Sequence, residues 1–275
     1  PEEIVNSRVL CSEYGLDKFY GNITAQEMFE NHLKTPKEWF PKLLDYIHSK
    51  GKDCMATLHG EHGIDWAKSF DFDLIKIASM DHTNLPFFME LIANVEVPIL
   101  ASFGMAEVED IDAAMEVLGS HSKGLGIFYC SSVYPPGPDD ISLGNIVAMA
   151  KRYQVPVGFS DHTMDTKIAC AAIACGAKIF EKHVTIDRSL IGPDHTSAVE
   201  IDEFCEYVKT LHEINKYMNI GFRGPSVKER ENKSKYLKSI MFKNDLKKGE
   251  KISLYDIYTA RPGEGISPAF RDQIV

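Results

Sequence analysis

The chain has 275 residues, 44% of them hydrophobic, with 30 basic and 40 acidic side chains and a net charge of -10 at pH 7. That length and apolar content support one large core plus a small appendage. The acidic balance argues against nucleic acid or an anionic membrane as a general partner, so an anionic ligand must be met by a few local cations. No apolar run approaches the roughly eighteen residues of a membrane span, and no charged-then-apolar leader is visible. A soluble, cytoplasmic protein is expected.

In chain order, the sequence opens at Pro1 without a methionine and stops at Val275 in mid-pattern, which reads as a fragment. The first helix signal is Thr35-Pro36-Lys37-Glu38, a capping box with proline at the first helical position. Trp39, Phe40, Leu43, Leu44 and Ile47 supply its apolar stripe. From residue 53 onward, short β-branched runs alternate with helical patterns: DCMATLH, FDLIKIAS, VPILASFG, GIFYCSS, VPVGFSDH and AKIFEKH. Strands at intervals of about 20 to 30 residues, each followed by a helix-like segment, indicate a parallel α/β fold. Helices are expected at Leu85 to Ala93, Val108 to Leu118, Leu143 to Tyr153, Lys167 to Cys175 and Phe204 to Met218.

After Asn219 the character changes. The polar stretch GFRGPSVKERENKSK reads as a linker over 220–235. Residues 236–275, with short strand-like pieces and turn-forming glycines, read as the beginning of a separate small domain, leaving 1–219 for the α/β domain. The six cysteines lack metal-type spacing and are expected to be reduced core thiols without a catalytic role.

The C-terminal ends of parallel strands emerge at one rim, where barrel and doubly wound folds place their chemistry. Those ends offer Thr57, then Lys76 with Ser79 and Asp81, Ser102, Ser131 with Ser132 and Tyr134, Ser160 with His162, and Glu181 with His183. Hydroxyls recur at five of the six ends, and hydroxyls with nearby amides suit a phosphate oxygen. A single serine could equally cap a helix or fill a turn. Lys76, between apolar residues of a central strand, is expected to point into the lumen and to need an anion there; snorkelling to a rim is its alternative. His162 and His183 end strands separated by a crossover helix of small residues. With neighbouring strands about 5 Å apart, two imidazoles so placed can share one divalent metal. For either histidine alone, a buried ring with one satisfied hydrogen bond is the simpler reading. Ser160, Asp161, Glu181 and Lys182 beside them make a costly concentration of polar groups unless something binds it.

The motifs KIAS (76–79), Tyr134-Pro135, GFSDHT (158–163), EKH (181–183), GPDH (192–195) and RPGEGISP (261–268) together resemble those of the sialic acid synthases, including the pseudaminic, legionaminic and spore-coat polysaccharide enzymes. The resemblance runs over nearly all of the chain from about residue 36. It implies condensation of phosphoenolpyruvate with an N-acyl hexosamine, releasing phosphate and forming a nine-carbon 2-keto-3-deoxy acid. The fold implied is a (β/α)8 TIM barrel, here lacking its first two strands, joined to the beginning of a small antifreeze-like (SAF) domain in a domain-swapped homodimer. By position, His162 and His183 match ligands for Mn2+, with Mg2+ or Co2+ as alternatives. Thr57, Ser79, Ser102 and Ser160 match phosphate-binding hydroxyls, and Lys76 matches the lysine that holds phosphoenolpyruvate. Asp81, Tyr134 and Asp194 match sugar-contacting positions, and Arg261 matches an arginine lent by the partner's small domain to the N-acyl group. Glu181 is the candidate to position water at C2 or to steady a cationic intermediate.

Three departures stand out. The family's N-terminal strands with their glutamate and lysine motifs have no counterpart before residue 36, Ser132 occupies a position often held by asparagine, and the small domain stops soon after Ile274. The serine points toward a pseudaminic- or legionaminic-type substrate. A deoxy-sugar-phosphate synthase or aldolase barrel is the competing enzyme class and would need a second cationic cluster for its phosphorylated aldose. A noncatalytic remnant barrel is the competing binding-protein reading.

Overall fold

In the computed structural model, which describes residues 3–218 and 223–275, six short strands form one parallel sheet in sequential order. They are β1 (Met55–Leu58), β2 (Leu74–Ile77), β3 (Ile99–Ser102), β4 (Leu125–Cys130), β5 (Val157–Asp161) and β6 (Phe180–Lys182). Five fall inside the apolar runs read from the sequence, and β4 begins one residue before GIFYCSS. Helical crossovers connect them: α2 (Gly60–Ser69), α3 (Leu85–Asn94), α4 (Val108–Leu118), α5 (Gly144–Tyr153) and α6 (Thr166–Ala174), with α1 (Phe40–Ser49) before β1 and α7 (Ile201–Asn215) after β6. Parallel neighbours require such crossovers, and the crossovers place the helices on one face of the sheet.

Side chains alternate strictly along the strands. Ile75, Ile77, Ile99, Ile127, Val157 and Phe159, all at most 1% exposed, point outward into the layer between sheet and helices. Each contributes about 1.5–3 kcal/mol through burial. The opposite parity faces a lumen. Lys76 on β2 reaches Glu181 on β6, four strands away in the sheet order, with Nζ 3.2 Å from Oε1. That contact requires the sheet to curl on itself, and the architecture is that of a partial TIM barrel. The lumen floor is Phe128; a Cβ at Gly158 would lie 2.6 Å from its ring, so only glycine admits the aromatic there.

Two local expectations are corrected. Thr35 and Glu38 form no capping box: Lys37–Trp39 make a 3-10 turn with no side-chain cap, and α1 begins at Phe40 with Pro41 in its first turn. The expected linker span 220–235 overlaps a helix, α8 (Val227–Tyr236), that runs one residue past it; residues 219–222 lie outside the described residues. Apolar periodicity is absent from α8, but Ser226 and Glu229 cap it reciprocally: the Glu229 amide donates to Ser226 Oγ (3.2 Å) and the Ser226 amide to Glu229 Oε2 (2.7 Å).

The described residues fall into two compact units, divided between Met218 and Asn219. The second contains α8 and an antiparallel pair, Ser239–Phe242 with Ile257–Ala260. Its Ser239 is fully buried and accepts a hydrogen bond from the Gly265 amide (2.9 Å). Among the described residues no helix is long and apolar enough to cross a membrane.

Candidate active site

At the C-terminal rim the lumen opens into a cavity of about 520 Å³. The strand register explains its composition. Thr57 pairs with Lys76, Cys130 with Ser160, and Ser160 with Glu181, so these side chains share the inward parity. Ser79, Ser102, Ser132, Tyr134, His162, Lys182 and His183 complete the polar lining. Ten of the residues singled out in the sequence thus come together. A larger cavity, about 650 Å³, lies against Thr57 among Phe29, Leu33, Phe40 and Trp66. There the Glu3 carboxylate is already tied to the Glu61 amide (2.9 Å).

The polar groups divide into satisfied and open ones. Lys76, the inward lysine, finds its anion in Glu181. Ser160 Oγ donates to Glu181 Oε1 at 2.7 Å. Ser79 Oγ accepts from the Gly104 amide (2.9 Å) and lies 3.1 Å from Cys130 Sγ. A Cβ at Gly104 would sit 2.4 Å from Ser132 Oγ, so a side chain at this position would crowd the serines of this wall. Ser102 Oγ is buried with no hydrogen-bond partner. A buried hydroxyl without a partner costs free energy, and a ligand oxygen would recover it.

His162 Nδ1 lies 2.6 Å from the Ser131 carbonyl. A carbonyl only accepts, so Nδ1 carries the proton and the neutral ring keeps its lone pair on Nε2. Ser160 Oγ is 3.3 Å from that Nε2, but its single proton goes to Glu181, so the lone pair remains available. Burial holds the His162 pKa below the ordinary histidine value, favouring the neutral, ligating form. The His162 and His183 ring centroids are 5.4 Å apart. Tyr134 covers both rings, at 4.2 Å from His162 and edge-on at 5.9 Å from His183. Burial, aided by the charges of Cys130, Asp194 and Glu181, pushes the Tyr134 phenol up to about 12, so it stays a donor. Among the described residues no group of three His, Cys, Asp or Glu side chains forms a metal cage. The donor set is two imidazoles, one with a fixed tautomer, which suits a divalent ion completing its shell from substrate and water.

Three sequence candidates are not among the lining residues of this cavity. Asp81 is 7% exposed and pairs with His59, its Oδ2 2.6 Å from His59 Nδ1, instead of lining the cavity. Asp194 precedes the 3-10 turn His195–Ser197 and makes no side-chain cap, but it is near enough for its charge to help raise the Tyr134 phenol. In the same GPDH motif His195 Nδ1 lies 2.8 Å from Thr185 Oγ1. Arg261 belongs to the second unit, where its guanidinium lies over the Tyr236 ring at 5.4 Å. Asp161 and Lys182, which the sequence groups with the rim's polar residues, point outward and bind each other. Cys130, expected to be an inert core thiol, lines the cavity with its Sγ, and burial holds its pKa above the ordinary thiol value. Its register with Ser160 is the signal that marks it.

Comparison with known proteins gives this site a lineage. The sequence matches the NeuB family over residues 1–222. It is 31% identical to the N,N'-diacetyllegionaminic acid synthase of Legionella pneumophila over 279 aligned positions, covering 100% of this chain and 78% of that protein. The corresponding synthase of Campylobacter jejuni is 33% identical, with 88% of this chain and 72% of the relative covered. The crystal structure of N-acetylneuraminic acid synthetase from Leptospira borgpetersenii, in complex with citrate, superposes with a TM-score of 0.69 at 28% identity over 73% of this chain and 70% of that one. The chain belongs to the NeuB family, the family of the sialic acid synthases.

Proposed function

We propose that the protein condenses phosphoenolpyruvate with an N-acyl hexosamine, giving a nine-carbon 2-keto-3-deoxy acid of the sialic acid type and inorganic phosphate. It is an enzyme of carbon–carbon bond formation, as its relatives are named synthases of such sugars. The observation that carries the reading is the orphaned Ser102 hydroxyl, buried in the same cavity as Lys76 and awaiting an acceptor or donor from a ligand.

A phosphate group in this cavity would meet the hydroxyls of Ser79 and Ser102, with Ser160 and Thr57 nearby, and the Lys76 ammonium. Charge-assisted hydrogen bonds of this kind are the strong ones. Phosphoenolpyruvate brings a second anionic group, so Lys76 would exchange or share its contact with Glu181. Released from part of that contact but still held by Ser160, Glu181 would position the water that adds at C2. Tyr134 would donate its O–H to a sugar oxygen. A divalent cation, Mn2+ first with Mg2+ or Co2+ as alternatives, would be held by His162 and His183 and supplies, when bound, Lewis-acid polarisation of the sugar carbonyl. Ser132, two residues before Tyr134 and lining the same cavity, is read as favouring a diacetamido-hexose of the legionaminic or pseudaminic type. The second unit is read as the beginning of an antifreeze-like domain whose Arg261 reaches a partner subunit's sugar site in a domain-swapped homodimer. An Arg261→Ala variant with a raised KM for the sugar and an unchanged KM for phosphoenolpyruvate would support that part.

A phosphorylated aldose as the second substrate fits less well. Its phosphate needs another cation, and the lysines lining the cavity are Lys76 and Lys182; the Lys182 ammonium is turned to the outer face, where Asp161 neutralises it. The test is phosphate release by the purified full chain with MnCl2, phosphoenolpyruvate and a panel of N-acetylmannosamine and diacetamido-hexoses, with products identified by mass spectrometry. Release is expected only when both substrates are present. Release without sugar, or with none of the N-acyl hexosamines, overturns the reading.

A further inference from the structure

We propose that the Asp161–Lys182 ion pair is a positioning device: it fixes the register in which His162 and His183 converge and thereby sets the affinity for a divalent cation. This rests on the metal reading above and adds to it two residues whose charged groups bind each other on the outer face.

The β5–β6 ladder ends at the pair Asp161↔Lys182. Both candidate ligands therefore stand one residue beyond the last β5–β6 ladder pair, where these two strands no longer hold each other. The next restraint lies on the outer face. Lys182 Nζ is 3.1 Å from Asp161 Oδ2, with the two side chains 2% and 0% exposed. Asp161 Oδ2 also accepts from the Tyr207 hydroxyl on α7 (3.1 Å), while Oδ1 accepts from the Thr163 amide (2.9 Å) and hydroxyl (2.7 Å). Lys182 also donates to the Thr163 carbonyl and lies over the Tyr207 ring at 5.5 Å.

His162 is thus bracketed by two residues, Asp161 and Thr163, that both belong to the network, and His183 directly follows the third. On its far side, the His183 carbonyl accepts from the Val199 amide at 3.0 Å. Sliding either histidine along its strand would break hydrogen bonds to a buried carboxylate. A buried ion pair gives little net stability compared with apolar residues of the same shape, so specifying geometry is the better account of this one.

The test uses the full chain and manganese(II) chloride, with free Mn2+ followed by electron paramagnetic resonance. The double variant Asp161→Asn/Lys182→Met removes both charges while keeping similar volumes and an oxygen that accepts from Thr163; toward Tyr207 the new amide donates to the phenol oxygen where the carboxylate accepted from it. It is expected to bind Mn2+ about tenfold more weakly than the wild type, the scale seen when outer partners of metal ligands are lost. Lys182→Arg, which keeps the charge, is expected to retain most of the affinity. A folded double variant with wild-type Mn2+ affinity overturns the proposal. If the double variant does not fold, Tyr207→Phe substitutes for it: this variant removes one hydrogen bond to Asp161, is expected to weaken Mn2+ binding about two- to threefold, and overturns the proposal if the affinity is unchanged. A wild type that binds no Mn2+ overturns the metal reading itself, and the positioning role with it.

Discussion

On the outer face of β5 and β6, Asp161, Lys182, Thr163 and Tyr207 use up one another's hydrogen-bonding capacity; on the lumen face of the same strands, Ser160, Glu181, His162 and His183 surround a cavity with a lone pair left open. Both clusters are polar and largely buried, and they lie only one residue apart in sequence. Burial of polar groups therefore does not by itself identify a site. What distinguishes the lumen is incompleteness: the His162 Nε2 lone pair is uncommitted, and Ser102 Oγ has no partner. A closed network holds shape, and an open one holds a ligand.

The largest effect that would sharpen this contrast is expected from the lumen imidazoles. Replacing His162 or His183 by alanine should lower phosphate release by about three orders of magnitude, the scale of losing Lewis-acid assistance worth several kcal/mol. Their thermal midpoints should change little compared with that of Lys182→Met, which leaves Asp161 buried and unpaired. Retention of turnover in both alanine variants would break the comparison. Next, Glu181→Gln should cost kcat about a hundredfold if the carboxylate positions the attacking water. Full turnover in that variant removes Glu181 from the mechanism.

The contrast is only partly legible in the sequence. The strands are visible because fully buried parallel strands need continuous apolar runs, and all six fall where those runs stand. The histidine pair is visible because both residues end such runs at equivalent positions. Period-two alternation is the further signal that separates the two faces: it places Asp161 and Lys182 opposite to their neighbours, so what reads as one polar concentration is two. Asp81 shows a different limit. Its partner His59 stands 22 positions away on the neighbouring strand end, and no local pattern ties a carboxylate to an imidazole so far off in sequence. In α8 the apolar stripe is missing, and the capping pair Ser226 and Glu229 is the readable helix signal that the polar composition masks.

A smaller effect tests incompleteness directly. Ser102→Ala removes a hydroxyl that has no partner in the fold, so the variant should gain stability by about 0.5–1 kcal/mol in denaturant unfolding while its KM for phosphoenolpyruvate rises. Lost stability together with an unchanged KM would make Ser102 an ordinary structural serine. The smallest effect lies at the opposite end of the sheet, where the exposed His48 pairs with Asp73 at 2.8 Å, ahead of β2. The Asp73 hydrogen bond raises the His48 pKa above 6.5, so this contribution is complete below 6.5 and fades as pH rises through the raised value. The Cys54 amide, then His48, lower the Asp73 pKa below 3.8, and that contribution is lost as pH falls through the lowered value. His48→Gln should therefore reduce the thermal midpoint slightly more at pH 5.5 than at pH 9 and leave the pH profile of kcat untouched. A shifted kcat profile would place this pair in the catalytic machinery, which contradicts its position at the far end of the strands.

The proposed ion, shared by the imidazoles that follow β5 and β6, is the feature on which the proposed chemistry would depend most. The direct measurement is an anomalous difference map from crystals of the full chain grown with MnCl2. It should show a single peak within about 2.0–2.3 Å of His162 Nε2 and of a ring nitrogen of His183. A peak that touches neither ring, or only one of them, would contradict it.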